Sequence, residues 1–212
     1  MKIISVNVGL PREILHDGKM IRSGIFKTPV AGRVRVKALN IDGDQQADLT
    51  VHGGPSKAIY AYPSEHYEFW RKQFPEVELP WGSFGENLDT AGIVEKEINI
   101  GDRLCIGSVE LIVTEPRLPC YKLNAKFARE DMVKRFLRSR RTGFYLSVAR
   151  EGEIGAGDLI RFLSRDETRV SVADVTRLYA FDHNDLAGMR RAAEVKALPD
   201  SWRNYFSERV GN

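Results

Sequence analysis

Cysteine is scarce in this sequence: 212 residues contain two, Cys105 and Cys120. A small secreted scaffold would carry several, in even sets. A chain of this length can bury a core without covalent help. Two cysteines and four scattered histidines give no zinc-ligand spacing. Long apolar runs are also missing, and no segment approaches the roughly 18–20 apolar residues of a membrane span. The opening stretch MKIISVNVGLPRE is broken by Asn7 and stops at Pro11-Arg12, too short for a secretion signal. Cytoplasm is therefore the expected compartment, with no membrane partner. Charge of one sign is nearly balanced. A net charge of +3 gives no ground for a nucleic-acid partner. There is no internal repeat and no low-complexity stretch.

What is present reads first as β structure. Lys2 to Val8 alternates like a strand. Lys19 to Phe26, Val34 to Leu39 and Leu49 to His52 are further short strand candidates, separated by Gly, Pro and Asp turns. RLCI and VELIVT flank Gly107-Ser108, a hairpin signal. Phe144 to Ala149 and Asp158 to Leu163 read as a strand pair around GEIGAG. Two helices interrupt the strands. One starts near Ser64, with Tyr67, Trp70 and Phe74 at core spacing; the other spans about Asn124 to Arg138. After Arg165 the strand signals stop. Ser171, Asn184 and Pro199-Asp200 each open a short helix. The predicted organisation is a β-rich barrel over residues 1–165 followed by a three-helix domain over residues 166–212.

Four segments carry candidate chemistry. In EPRLPCYKL, Glu115 to Leu123, a strand runs into a loop stiffened by Pro116 and Pro119, with Arg117 and Lys122 around Cys120. A rigid loop at a strand end holds a reactive group well, and nearby cations favour the thiolate, which is both nucleophile and soft-metal ligand. Cys105 sits among apolar strand neighbours and reads as packing. In VHGGPSK, His52 precedes Gly53 and Gly54, whose backbone N–H groups suit an anion, and Lys57 follows. The spacing is not that of a P-loop. The same residues also read as a plain glycine turn with a solvated lysine. FGENL places Glu86 and Asn87 in a Gly-flanked loop. In RSRRTGFYL, Arg138, Arg140 and Arg141 either complement a helix C-terminus or clamp an anion. GEIGAG lies in strand context and is no dinucleotide fingerprint. His16, His66 and His183 read as surface or structural, and Trp202, Tyr205 and Phe206 as packing groups.

In this order, VHGGPSKAIYAYP, FGENL, IGDRLCIGSVELIVTEPRLPCYKL, RTGFYL and GEIGAGDLI resemble the MOSC domain family, and within it the YiiM-like proteins. The helical tail resembles the small domain that follows the barrel in those members. The resemblance implies a closed, mostly antiparallel β-barrel with a few helices. It implies molybdenum cofactor, a metal held by the dithiolene of a phosphorylated pterin. The family's hallmark cysteine, a thiolate ligand to the metal, corresponds to Cys120. Gly53, Gly54, Lys57, Asn87, Arg117, Lys122 and Arg141 are the candidate cofactor-binding residues, and His52 is a candidate proton donor. Mitochondrial relatives carry arginine in the FGENL loop where this chain has Gly85. The implied activity is reduction of N-hydroxylated compounds, such as hydroxylaminopurine-type bases, with electrons from a separate reductase. The alternative is a cofactor carrier or sulfur-transfer module that uses a Cys120 persulfide.

Overall fold

A computed structural model describes residues 1–47 and 53–211. The strand expected over Leu49 to His52, and with it His52, lies outside the described residues. The strands are β1 (Lys2–Val8), β2 (Arg12–His16), β3 (Lys19–Ser23), β4 (Thr28–Pro29), β5 (Arg33–Lys37), β6 (Asn40–Ile41), β7 (Ile59–Pro63) and β8 (Leu88–Ala91), followed by β9 (Arg103–Ile106), β10 (Val109–Pro116), β11 (Phe144–Arg150), β12 (Gly152–Gly155) and β13 (Ile160–Ser164). The helices are α1 (Glu65–Gln73), α2 (Tyr121–Phe127), α3 (Met132–Ser139), α4 (Val172–Ala180), α5 (Leu186–Glu194) and α6 (Asp200–Gly211). This is a mixed α/β fold.

Eight strands form one sheet in the order β13-β9-β10-β11-β7-β8-β1-β4, antiparallel except for β7 beside β8. The expected closed barrel is not found: among the described residues the sheet is open. β1, next to the end strand β4, meets the segment leading into the other end strand, β13, at the bridge Lys2 to Leu159, where Ile3 N–H donates to the Asp158 carbonyl, Gly157 N–H to that of Ile3 and Ile160 N–H to that of Met1. The expected strand pair around GEIGAG is also corrected. β11 pairs with β10 and β7, whereas β13 pairs with β9, and GEIG is itself strand β12, paired with β5. Chain proximity pointed to the wrong neighbour because pairing follows the burial of each strand's apolar face.

β9 and β10 form the hairpin expected around Gly107-Ser108. Val109, Leu111 and Val113 alternate into the core, all fully buried. The register then slips between Val113 and Glu115, and Thr114, Glu115 and Pro116 are buried in succession. Such a bulge re-aims side chains at a strand end. It delivers Glu115 and the following loop to the site.

The helix expected over Asn124 to Arg138 is two helices. Ala128 takes the left-handed conformation at φ 50° and ends α2. Asn124 holds the break open: its amide nitrogen donates to the Glu130 carbonyl at 2.7 Å and its oxygen accepts from Val133 N–H at 2.8 Å. A second core, mostly aromatic, lies under α1 and α3 and includes Tyr62, Tyr67, Trp70, Phe74, Phe84 and Phe136.

The three C-terminal helices appear where expected. Ser171 and Asp174 form a capping box on α4. Asp185, rather than Asn184, caps α5 by accepting from Gly188 N–H at 2.7 Å. Val172, Val175, Leu178, Met189, Trp202 and Phe206 share one buried cluster with strand residues Ile3, Leu104, Leu111 and Leu146, so the tail is seated on the sheet.

Candidate functional site: a thiol between two cavities

β10 ends at Pro116, and four residues later Cys120 stands at the N-terminal boundary of α2 with extended backbone, φ −125°. Its side chain makes no cap hydrogen bond, it is half-buried, and it is a free thiol. The two prolines fix the backbone of this loop. Cys120 lines two cavities, of about 90 Å³ and about 420 Å³. Lys57, Leu118 and Tyr145 line both as well. Cys105 is buried in β9, 3.7 Å from the Gly107 carbonyl, consistent with packing.

The smaller cavity is rich in cations: Lys27, Lys57, Arg117 and Lys122 all line it. Lys27 is committed to Asp44 in a buried ion pair. Burial lowers the Lys27 pKa and Asp44 opposes that shift. Arg117 is 5% exposed, with its guanidinium 5.4 Å from the Tyr60 ring and 5.1 Å from the Phe136 ring. Its Nη1 is buried without a hydrogen-bond partner. A buried guanidinium nitrogen left unpaired is costly and matches an incoming anion. Lys122, on the first turn of α2, is also buried.

The larger cavity has a different character. Tyr145, Tyr179, Trp202 and Tyr205 give it aromatic walls, and Glu115 and Lys57 supply charge. Trp202 Nε1 donates to Glu115 Oε2 at 2.8 Å, and Lys57 Nζ lies 4.0 Å from the same oxygen. Glu115 is 4% exposed. Burial pushes its carboxyl above the usual carboxylate range, against the pull of Lys57 and Trp202. Burial likewise pushes the Tyr145 phenol up to about 12, with Arg117 opposing.

The structure brings together Cys120, Lys57, Arg117 and Lys122. Asn87 reaches the wall of the smaller cavity, but its amide is spent on structure. Its oxygen accepts from Tyr60 N–H, and its nitrogen donates to Asp44 Oδ2 and the Asn7 carbonyl. Gly53 and Gly54 lie outside the lining of both cavities. Gly54, at φ 93°, turns the chain into the single helical turn Pro55–Lys57, which ends on the useful lysine. Arg141 is not brought to the site: its guanidinium sits 4.0 Å over the Phe69 ring and donates to the Ser139 carbonyl. Arg140 covers Phe181 in the same way, at 4.4 Å. Arg140 and Arg141 of this arginine segment are thus engaged in cation–π packing.

Gly85 lines the smaller cavity at φ 86°, and a Cβ there would meet Ile25 Cγ1 at 2.7 Å. A side chain at this position would press on Ile25, and Arg117 and Lys122 bring positive charge to the same cavity. Sequence reasoning missed Lys27, Tyr145, Glu115 and the tail aromatics. For Glu115 the signal was a carboxylate at the end of the apolar strand VELIVTEP.

A MOSC domain family model matches residues 48–161, and a YiiM-like, 3-alpha helix domain model matches residues 170–211. The protein YflK of Bacillus subtilis (strain 168) is 39% identical over 98% of this chain and 93% of its own length. A protein of Gibberella moniliformis named reductase is 38% identical over 76% of this chain, a match that spans 29% of that protein. The crystal structure of YiiM from Geobacillus stearothermophilus has a TM-score of 0.83 at 32% identity and covers 99% of this chain and 98% of its own. The chain belongs to the MOSC domain family.

Proposed function

We propose that this protein is a molybdenum-cofactor-dependent reductase of N-hydroxylated compounds, with Cys120 as the thiolate ligand to the metal. The observation that carries the reading is the position of Cys120, a half-buried free thiol lining both a cation-rich cavity and an aromatic one. The name of the Gibberella relative agrees with redox chemistry.

The residues present fit the cofactor. A soft thiolate suits a metal whose other sulfur ligands come from a dithiolene. The unpartnered Arg117 Nη1, with Lys57 and Lys122, suits a phosphate. When bound, the cofactor supplies the two-electron reduction by which R–NHOH, two electrons and two protons give R–NH2 and water. This chain does the rest. Cys120 holds the metal, the cations hold the phosphate, and the aromatic cavity excludes water and orients the substrate's ring. Electrons come from a separate reductase.

Metal analysis tests the proposal. Wild type and Cys120→Ala are purified gently from cells that make the cofactor. Near-stoichiometric molybdenum in wild type, lost in a folded mutant together with reductase activity, is the expected result. Equal molybdenum and activity in both proteins contradicts it. A persulfide on Cys120 without molybdenum supports the sulfur-transfer reading instead.

A further inference from the structure

The larger cavity has a wall that the sheet does not supply. Tyr179 of α4 and Ser201, Trp202 and Tyr205 of α6 complete it. Tyr179 lies with its ring centroid 5.0 Å from that of Trp202 and 5.0 Å from that of Tyr205. Such a group offers a planar ligand both faces and edges to pack against.

Glu115, on the opposite side of the contact between tail and sheet, has its two oxygens unequally served, and the Ser56 side chain also favours its charged form. Trp202 Nε1 and Lys57 Nζ both address Oε2, while Oε1 is buried with no hydrogen-bond partner. A buried acceptor left unpaired costs free energy that a donor would recover. The register slip before Glu115 is what turns this carboxyl toward the tail.

We infer that Glu115 is the specificity-determining residue of this cleft. Its Oε1 takes a hydrogen bond from an N–H donor conjugated to a planar ring, and that ring lies against Tyr179, Trp202 and Tyr205. Trp202 is a positioning residue, because its N–H fixes the other carboxyl oxygen. The inference deepens the reductase reading by placing the recognition of its substrate, but it requires neither metal nor catalysis. It selects amidines and amino-substituted aromatic rings and rejects aryl carboxylates, which would set a second carboxylate against Glu115.

The test is calorimetric titration of the metal-free full chain with benzamidine, and with benzoate as the ring without donors. Wild type should bind benzamidine saturably, with quenching of Trp202 fluorescence, and should not bind benzoate. Glu115→Gln keeps an acceptor for Trp202, so the fold should hold, and should weaken benzamidine at least about tenfold. Ser201→Trp, at an exposed position on the cavity rim, should block binding without touching Glu115. Equal affinity in wild type and both variants, or no benzamidine binding to wild type, overturns the inference. Glu115-dependent binding in a protein that never acquires molybdenum would sustain the cleft and sink the reductase reading.

Discussion

Asp89 and Glu86 are buried carboxyl groups that share one environment, both 0% exposed. Glu86 accepts from the N–H groups of Gly82 and Phe84 and from the Tyr67 hydroxyl. Asp89 accepts from Asn7 Nδ2 at 2.7 Å, and its Oδ1 is buried without a hydrogen-bond partner. Burial, and then the Glu86 charge, push Asp89 up to about 10. An unfolded aspartate titrates near about 3.9. Between those values the folded protein holds a proton that the unfolded chain has released, so stability falls as pH rises through that window. Asp89→Asn is near-isosteric and its oxygen still accepts from Asn7. Between pH 6 and pH 9 the wild-type Tm should fall by several degrees more than that of Asp89→Asn. Parallel Tm curves would contradict the assignment. FGENL was legible as a special loop from its polar residues, but its role was not. Glu86 and Asn87 look like ligand groups in sequence, yet their partners come from residues as distant as Asn7 and Asp44.

At the scale of elements, local signals were read well and non-local ones poorly. The β9–β10 hairpin and the Ser171 cap are written in adjacent residues and appear as expected. The partners of β11 and β13 depend on which faces are buried, which no short window contains. The break between α2 and α3 rests on Asn124 bonding across the turn to Glu130 and Val133, against an apolar pattern that continues through it. Ala128 there adopts the left-handed conformation, which costs an L-residue roughly 1–2 kcal/mol. Ala128→Gly removes that strain at some cost in chain entropy. It should stabilise the protein by about 0.5–1 kcal/mol, or about 1–4 °C in Tm. A lower Tm would show that the alanine methyl packs usefully.

Across the whole molecule, the site is assembled from segments far apart in the chain. Lys27, Lys57, Tyr60 and Tyr145 converge on the loop that carries Arg117, Cys120 and Lys122, and the C-terminal helices close the second cavity. The part within that one loop was legible, because a thiol between cations on a proline-stiffened turn is a local pattern. The Trp202–Glu115 bond, spanning 87 residues, was not, and it turns two expected packing groups into cavity walls. This convergence gives the thiol two sides, one suited to an anionic cofactor and one to a flat substrate. The central claim is that Cys120 ligates the metal. Its most direct test is X-ray absorption at the molybdenum edge on cofactor-loaded wild type and on Cys120→Ala reconstituted with excess cofactor, which the variant does not retain through purification. The predicted result is one fewer sulfur neighbour in the variant. The same sulfur shell in both folded proteins would contradict the account.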